Sequence, residues 1–258
     1  MTDTLIETEK TLDLDGYKLL LEKQGWVILS PEFVKDDPER ALSGFGQTLL
    51  QFNGKKTFEV QYRPGFDNLP YSQSKNGIGP HTEAPVYDPP PRFLALHCHV
   101  QAKCGGGQTQ LADGFEFYNS LDEELKKIAC EKSISFSATA QPGYSGKLEH
   151  STCIISNVEK KPIFRFSYNQ FYYGDVNPSD CTTTVIPKTD DEACLRRIAK
   201  LGETFFNDNS ISILIPEKSI LIWDNQRLMH ARVRYTDTSR HLTRYWLSCS
   251  SNEILEAN

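Results

Sequence analysis

The sequence lacks most of the features that sort a chain into a class at first sight. It has no CxxC, and its seven cysteines (Cys98, Cys104, Cys130, Cys153, Cys181, Cys194 and Cys249) are odd in number and widely spaced. Neither a paired-cysteine zinc site nor a thioredoxin-like pair is therefore expected. Reduced thiols in a cytoplasmic protein are the natural reading. Basic residues are not in excess: 28 Lys and Arg stand against 34 Asp and Glu, for a formal net charge of -6. A nucleic-acid partner would want the opposite balance. No apolar run approaches the ~20 residues of a membrane span. Residues 1–10 are polar and acidic, without the basic-then-apolar order of a signal peptide. No repeat of fixed period and no low-complexity linker divides the chain. Its 258 residues suit a single domain, with a helical and strand region over about 1–60 and a β-rich core over about 61–250.

What is present reads as many short strands with a few helices. Residues 16–24 (GYKLLLEKQ) predict a short helix that ends at Gly25. Trp26 to Leu29 predicts a strand. A second helix is expected from Pro38, capped by Asp36 or Asp37, to about Phe52. Residues 61–92 hold many Gly, Pro, Asn and Ser and predict a long loop region, of the kind that tends to carry function. Phe93 to Val100 is an alternating apolar strand, followed by the Gly105-Gly106-Gly107 turn and a strand from Gln108 to Leu111. Capping boxes at Ser120–Glu123 and Thr189–Glu192 open helices to about 131 and about Phe206. Further strands are expected near 133–139, 163–168, 211–214, 219–223 and 241–248. This pattern predicts a mainly β fold with flanking helices around a closed or sandwiched core, for which the jelly roll (a double-stranded β-helix) is the natural candidate.

His81 and Glu83 stand two residues apart, so an extended backbone points both side chains to one face. His230 follows the strand SILIWDN and supplies a second imidazole from a separate strand. Two histidines and one carboxylate with open positions form the facial triad of non-haem Fe(II) oxygenases. On its own the HxE pair is weak, since a surface histidine beside a solvated glutamate gives the same pattern. A zinc hydrolase on a β-sandwich uses a similar donor set; the helical HExxH form is absent. The KCGGGQT turn lacks the Gly-Lys-Ser/Thr order of a phosphate-binding loop.

The C-terminal third narrows these options. WDNQRLMH ends at His230, and Arg240 and Arg244 follow it in RHLTRYW. With the HxE pair and the GGGQT turn, these motifs resemble the taurine dioxygenase/clavaminate synthase-like branch of the 2-oxoglutarate oxygenases, over roughly residues 76–247. The resemblance implies Fe(II) held by His81, Glu83 and His230. It implies 2-oxoglutarate held at its distal carboxylate by Arg244, fourteen residues after His230, and by Thr109, with Arg240 as a second arginine near the same place. A planar, always-charged guanidinium suits carboxylate recognition. The implied activity consumes O2 and 2-oxoglutarate and hydroxylates or desaturates an unactivated C–H bond of a small molecule. Glu83 stands where most relatives have Asp. This points toward the amino-acid-modifying side of the branch, with an amino acid or a derivative, free or carrier-tethered, as substrate. Keeping a carboxylate ligand also argues against halogenation, because the related halogenases have a small residue there.

Other residues carry open readings. His97 and His99 share a face of their strand and read as packed or edge histidines. His150 and His241 have no matched partner, and His241, next to Arg240, points away from the site. Trp223 packs in the core or near the metal. Asn225 closes a strand end or supports the distal ligand through hydrogen bonds. Arg165, flanked by Phe164 and Phe166, faces either solvent or the cavity, where it would bind a substrate carboxylate. Asn76, Ser74, Tyr71 and Tyr62 are candidates for a lid over the substrate, with Asn76 also a candidate substrate contact.

Overall fold

The computed structural model describes residues 12–68, 71–138, 148–158, 161–178 and 186–248. Cys181, Cys249 and residues 1–10 lie outside the described residues. The first half of the chain runs α1 (Leu14–Gln24), β1 (Trp26–Leu29), α2 (Pro31–Val34), α3 (Pro38–Ser43), β2 (Thr57–Gln61), β3 (Ile78–His81), β4 (Phe93–Val100), β5 (Thr109–Asp113), α4 (Gly114–Ser120) and α5 (Glu123–Glu131). The second half continues with β6 (Ile134–Ala138), β7 (Leu148–Thr152), β8 (Ile155–Val158), β9 (Lys161–Phe164), α6 (Tyr168–Tyr173), α7 (Asp190–Asn209), β10 (Ile211–Ile213), β11 (Ile220–Asp224), β12 (Leu228–Arg232) and β13 (His241–Leu247).

Two antiparallel sheets form the jelly roll. The larger has five strands in the order β1-β11-β4-β13-β2, and the smaller has four in the order β10-β5-β12-β3. Alternation along each strand assigns side chains to faces. Leu94, Leu96 and Cys98 of β4, Leu242 and Trp246 of β13, and Leu221 and Trp223 of β11 share one apolar cluster with Leu111, Ile213, Leu228 and Ala231 of the smaller sheet. The opposite face of the large sheet is also covered at one end. There Ala95, Ile220, Ile222, Tyr245 and Leu247 pack on Tyr17 and Leu21 of α1 and Ala41 and Leu42 of α3. Burial on both faces explains why β11 reads as an unbroken apolar run.

The N-terminal helix and β1 agree with expectation, with Asp13 capping α1 and Gly25 ending it in the left-handed region. The helix from Pro38 is much shorter than expected. Asp37 caps it as foreseen, but it stops at Ser43. Beyond it the backbone is used for pairing: Leu49 donates to the Trp246 carbonyl, and Ser248 donates to that of Gln47. Gly46 lies so close to the Ser248 carbonyl that a Cβ there would sit 1.9 Å from it, so this approach of the two backbones needs glycine. The Ser120 capping box also resolves differently. Asp122 is the cap, accepting from the Leu125 amide, while the Ser120 hydroxyl donates to the Phe117 carbonyl at the end of α4, a helix the pattern did not reveal. α7 opens on Thr189 as expected and runs to Asn209. It packs Ile198, Ala199 and Phe206 into the main core. The expected strand at 163–168 ends at Phe164, and Tyr168 begins α6.

Candidate metal centre

β3 and β12 are neighbours in the smaller sheet, and their register makes His81 and His230 direct partners. The two imidazole rings lie 4.0 Å apart. Glu83 follows two residues after His81, past the end of β3. Its Oε2 is 3.8 Å from His81 Nε2 and 3.9 Å from His230 Nε2. One donor atom from each of the three residues lies within 4.8 Å of the others. The His81 Nδ1 nitrogen is 2.9 Å from the Gly79 carbonyl. A proton on Nδ1 would donate to that carbonyl and leave the Nε2 lone pair aimed at Glu83, the usual orientation of a metal-ligating histidine. Trp223 stacks obliquely on His230, ring centres 5.0 Å apart, and so packs next to the metal position as well as in the core.

Asn225 fixes the glutamate from behind. Its Oδ1 accepts from the Glu83 amide at 2.6 Å, and its Nδ2 donates to the Glu83 carbonyl at 3.0 Å and to the Pro91 carbonyl at 3.0 Å. The expectation that Asn225 supports the distal ligand is therefore corrected: it holds the carboxylate ligand. The next residue, Ala84, has φ +52, a conformation an alanine adopts at a cost of about 1 kcal/mol or more, and the Asn225 clamp secures the turn.

The electrostatics suit cation binding. Burial pushes the Glu83 carboxyl up, but Arg244 and then His81 and His230 outweigh it and hold it at about 2. Burial also holds His230 well below its ordinary value, helped by His81, so its imidazole is neutral near pH 7. A charged carboxylate and a neutral imidazole are the states a metal requires. Arg244 Nη1 is 2.6 Å from Glu83 Oε1 and its Nε donates to Gln51 Oε1 at 2.9 Å. The guanidinium thus occupies the cationic side of Glu83.

The pocket in front of the triad is lined by Thr109, Arg232, Arg240 and Arg244, together with Tyr71, Ser72, Val60 and Phe52. Thr109 is buried at the start of β5. Arg240 is brought beside it by the glycine turn. Its Nη2 donates to the Gly107 carbonyl at 3.1 Å, and Gly107, at φ +85, would carry a Cβ only 3.0 Å from Arg240 Nε. Arg240 Nε and Nη1 are buried with no hydrogen-bond partner among the described residues. Thr109 and Arg240 are therefore grouped, and Arg240 has donors to spare, whereas Arg244 is engaged with Glu83 and Gln51.

Two expected substrate contacts are not brought to the pocket. Arg165 is fully buried, donates to Asp88 Oδ1 at 2.8 Å and bonds the Ser156 hydroxyl; a counter-ion in the chain takes the place of a substrate carboxylate. Asn76 donates to the Asp67 carbonyl at 2.6 Å and does not line the cavity. Of the lid candidates, Tyr71 reaches the pocket, while Ser74 is buried and bonds the Tyr71 carbonyl and Tyr62 donates to Asp67. Sequence reasoning missed Arg232. Its guanidinium donates to the carbonyls of Tyr71, Ser72, Ser74 and Asn76 and ties that loop over the cavity. Its signal was its place two residues after His230, on the same face of an extended strand.

A jelly roll with two histidines and a carboxylate at one end of its smaller sheet, and cationic donors beside them, defines a non-haem iron dioxygenase that uses 2-oxoglutarate. Residues 7–246 match the family described as taurine catabolism dioxygenase TauD, TfdA family, and the chain belongs to it. Solved structures give the same fold at low identity. An asparagine oxygenase in complex with Fe(II), 3-hydroxyasparagine and succinate has a TM-score of 0.69 and 16% identity, over 92% of this chain and 78% of that one. The non-haem iron oxygenase OrfP with Fe and α-ketoglutaric acid has a TM-score of 0.62 and 15% identity, over 92% and 78%. A putative α-ketoglutarate-dependent taurine dioxygenase from Burkholderia xenovorans has a TM-score of 0.64 and 17% identity, over 92% and 84%. The 2-oxoglutarate-independent zinc hydrolase reading falls with this family membership.

Proposed function

We propose that the protein hydroxylates an unactivated C–H bond of an amino acid or an amino-acid-derived small molecule, with desaturation of the same bond as the variant outcome. The observation that carries this is the convergence of His81, Glu83 and His230 on one pocket with Thr109, Arg240 and Arg244. Iron bound there supplies activation of O2 coupled to decarboxylation of 2-oxoglutarate. The residues of the chain bind, orient and exclude. Thr109 and the open donors of Arg240 hold the distal carboxylate of 2-oxoglutarate. Arg244 pairs with Glu83 and lines the same pocket, where its guanidinium would be available to an acidic group of a ligand were Glu83 to hold a metal. Arg232 keeps the Tyr71–Asn76 loop closed over the cavity, which limits water. An amino-acid substrate is supported by the glutamate ligand and by the solved relatives, of which one holds hydroxyasparagine and another (3S)-hydroxy-L-Arg. The five described cysteines are free thiols, which supports a reducing, cytoplasmic setting.

The test is anaerobic addition of Fe(II) and 2-oxoglutarate, which should give a visible charge-transfer band, followed by a screen of amino acids for succinate release above background. Product mass then separates a gain of one oxygen from a loss of two hydrogens, and carrier-bound substrates are run beside free ones. Absence of the band, or succinate release that no amino acid or derivative stimulates, would overturn the proposal.

A further inference from the structure

The outer face of the large sheet carries a second group of metal-type donors, remote from the pocket. β2, β13 and β4 lie side by side. Phe58, Val60, Leu242, Leu96 and Cys98 turn inward to the main core. Alternation then turns Glu59, His241, Thr243, His97 and His99 outward. The register pairs Glu59 with Thr243 and Thr243 with His97, and a slip between His241 and Leu242 brings His241 beside the end of β4. Three strands thereby deliver Glu59, His99 and His241 to one spot, where one donor atom from each lies within 4.8 Å of the others.

Close polar contacts link the members of the group. His241 Nε2 is 2.6 Å from Glu59 Oε2, and His99 Nε2 is 2.7 Å from the Thr243 hydroxyl. That hydroxyl reaches Glu59 Oε2 at 3.2 Å. The His99 and His241 rings are 4.6 Å apart and inclined by 32°, a close approach that opposes two positive charges. Burial, then the neighbouring histidines, lowers the pKa of His97 and of His99, which favours neutral imidazoles with lone pairs to give. His97 packs against His99 with ring centres 4.5 Å apart, and its buried Nδ1 has no hydrogen-bond partner among the described residues. Donors around a tetrahedral ion with bonds of about 2.1 Å lie about 3.4 Å apart, a spacing these partly exposed side-chain ends reach by small rotations.

We infer that Glu59, His99 and His241 bind a divalent cation of the zinc type, with Thr243 orienting the carboxylate and solvent completing the coordination. Two imidazoles and one carboxylate suit a borderline cation. The ion ties together β2, β13 and β4. β13 also presents Arg244 to the pocket on its other face, and His241 directly follows Arg240, so the ion braces the strand that carries both arginines. The inference does not depend on the chemistry at His81, Glu83 and His230, because the two sites share no residue.

The experiment is calorimetric titration of Zn(II) into the metal-free full-length protein at pH 7.5. Wild type should take up two equivalents. His81→Ala, which disables the triad, should retain one tight equivalent, and His99→Ala should retain the other together with Fe(II)-dependent succinate formation. In the His81→Ala background, adding His99→Ala should weaken the remaining site at least 100-fold, and adding Glu59→Gln at least tenfold. Zn(II) should raise the Tm of His81→Ala but not that of His81→Ala/His99→Ala. The inference is overturned if His81→Ala takes up no zinc at micromolar concentration, or if His81→Ala and His81→Ala/His99→Ala bind alike. Failure of the triad reading looks different: His81→Ala would then match wild type in stoichiometry.

Discussion

Asn225 grips both backbone polar groups of Glu83, accepting from its amide at 2.6 Å and donating to its carbonyl at 3.0 Å. Asn225 thus holds the carboxylate ligand through its main chain, while Arg244 pairs with its side chain. Asn225→Ala removes the partner of the Glu83 amide and of the Glu83 and Pro91 carbonyls, at a cost of about 1–3 kcal/mol each where water does not reach them. It should also loosen Fe(II) binding by about 10- to 100-fold, as loss of an outer support does. Asn225→Asp should be equally damaging, because a carboxylate oxygen would face the Glu83 and Pro91 carbonyls. Thermal denaturation and Fe(II) titration measure the two effects, and unchanged metal affinity in both variants would remove Asn225 from the site.

How far this was visible in the sequence depends on what each feature rests on. His81 and Glu83 were legible as an HxE pair that is weak on its own; His230 added a second imidazole from a separate strand, and Thr109 was legible only through the resemblance to the oxygenase family. Arg240 and Arg244 were legible as a pair, but the division of labour between them was not. That division depends on Gln51 and Glu83 occupying Arg244, and on Gly107 approaching Arg240. Arg165 shows the same limit. Alternation gives its face, but only the fold shows Asp88 waiting there, 77 positions away in the chain. The shortened helix at Pro38 has a similar origin, since the partner that captures the backbone after Ser43 is the far C-terminal strand. Glu59, His99 and His241 come from three strands, and no local pattern joins them.

On the proposed roles, Thr109 and Arg240 should make separable contributions to cosubstrate binding. Thr109→Val removes one bond from a neutral hydroxyl to a charged carboxylate, at the lower end of the range of about 1.5–3 kcal/mol that such bonds contribute, so the KM for 2-oxoglutarate should rise roughly tenfold. Arg240→Ala removes charge-assisted bonds of about 1.5–3 kcal/mol, for a rise of roughly 12- to 150-fold, and Arg240→Lys should recover only part of it because the planar fork is lost. The KM for the primary substrate should stay within twofold in each. Steady-state kinetics with 2-oxoglutarate varied at saturating substrate settles this; a larger effect on the primary substrate would exchange the roles of Arg240 and Arg244.

Arg165 is a structural cation. It is fully buried and paired with Asp88 at 2.8 Å. Asp88 is 39% exposed, so water stabilises its charge once Arg165 is gone. The cost lies in the buried Tyr87 carbonyl and the Ser156 hydroxyl that Arg165 also bonds, about 1–3 kcal/mol for each group left unsatisfied. Arg165→Met should therefore lower the Tm markedly while leaving both KM values, measured below the transition, close to wild type. A variant with normal stability and a selectively raised substrate KM would return Arg165 to the pocket.

Arg244 sets the sign of one pH dependence in the metal-free protein. Glu83 is buried, yet Arg244 and the two histidines hold its carboxyl at about 2 against an ordinary 4.5. Between those values the folded state binds fewer protons at Glu83 than the unfolded state does, so this residue adds stability as pH rises. Its contribution is complete above about 4.5 and is lost as pH falls toward 2. Arg244→Met removes the largest opposing influence on a carboxyl that burial pushes up. Its folded pKa should then rise, which removes part or all of that contribution; if burial carries it past the ordinary 4.5, the sign reverses and Glu83 ionisation costs the variant stability as pH rises. The stability gap between wild type and Arg244→Met should therefore widen as pH rises from 3 and level off above the variant's folded pKa. Urea unfolding of both chelator-treated proteins across that range measures the gap, and a gap that stays constant with pH would show that Arg244 does not control the charge of Glu83.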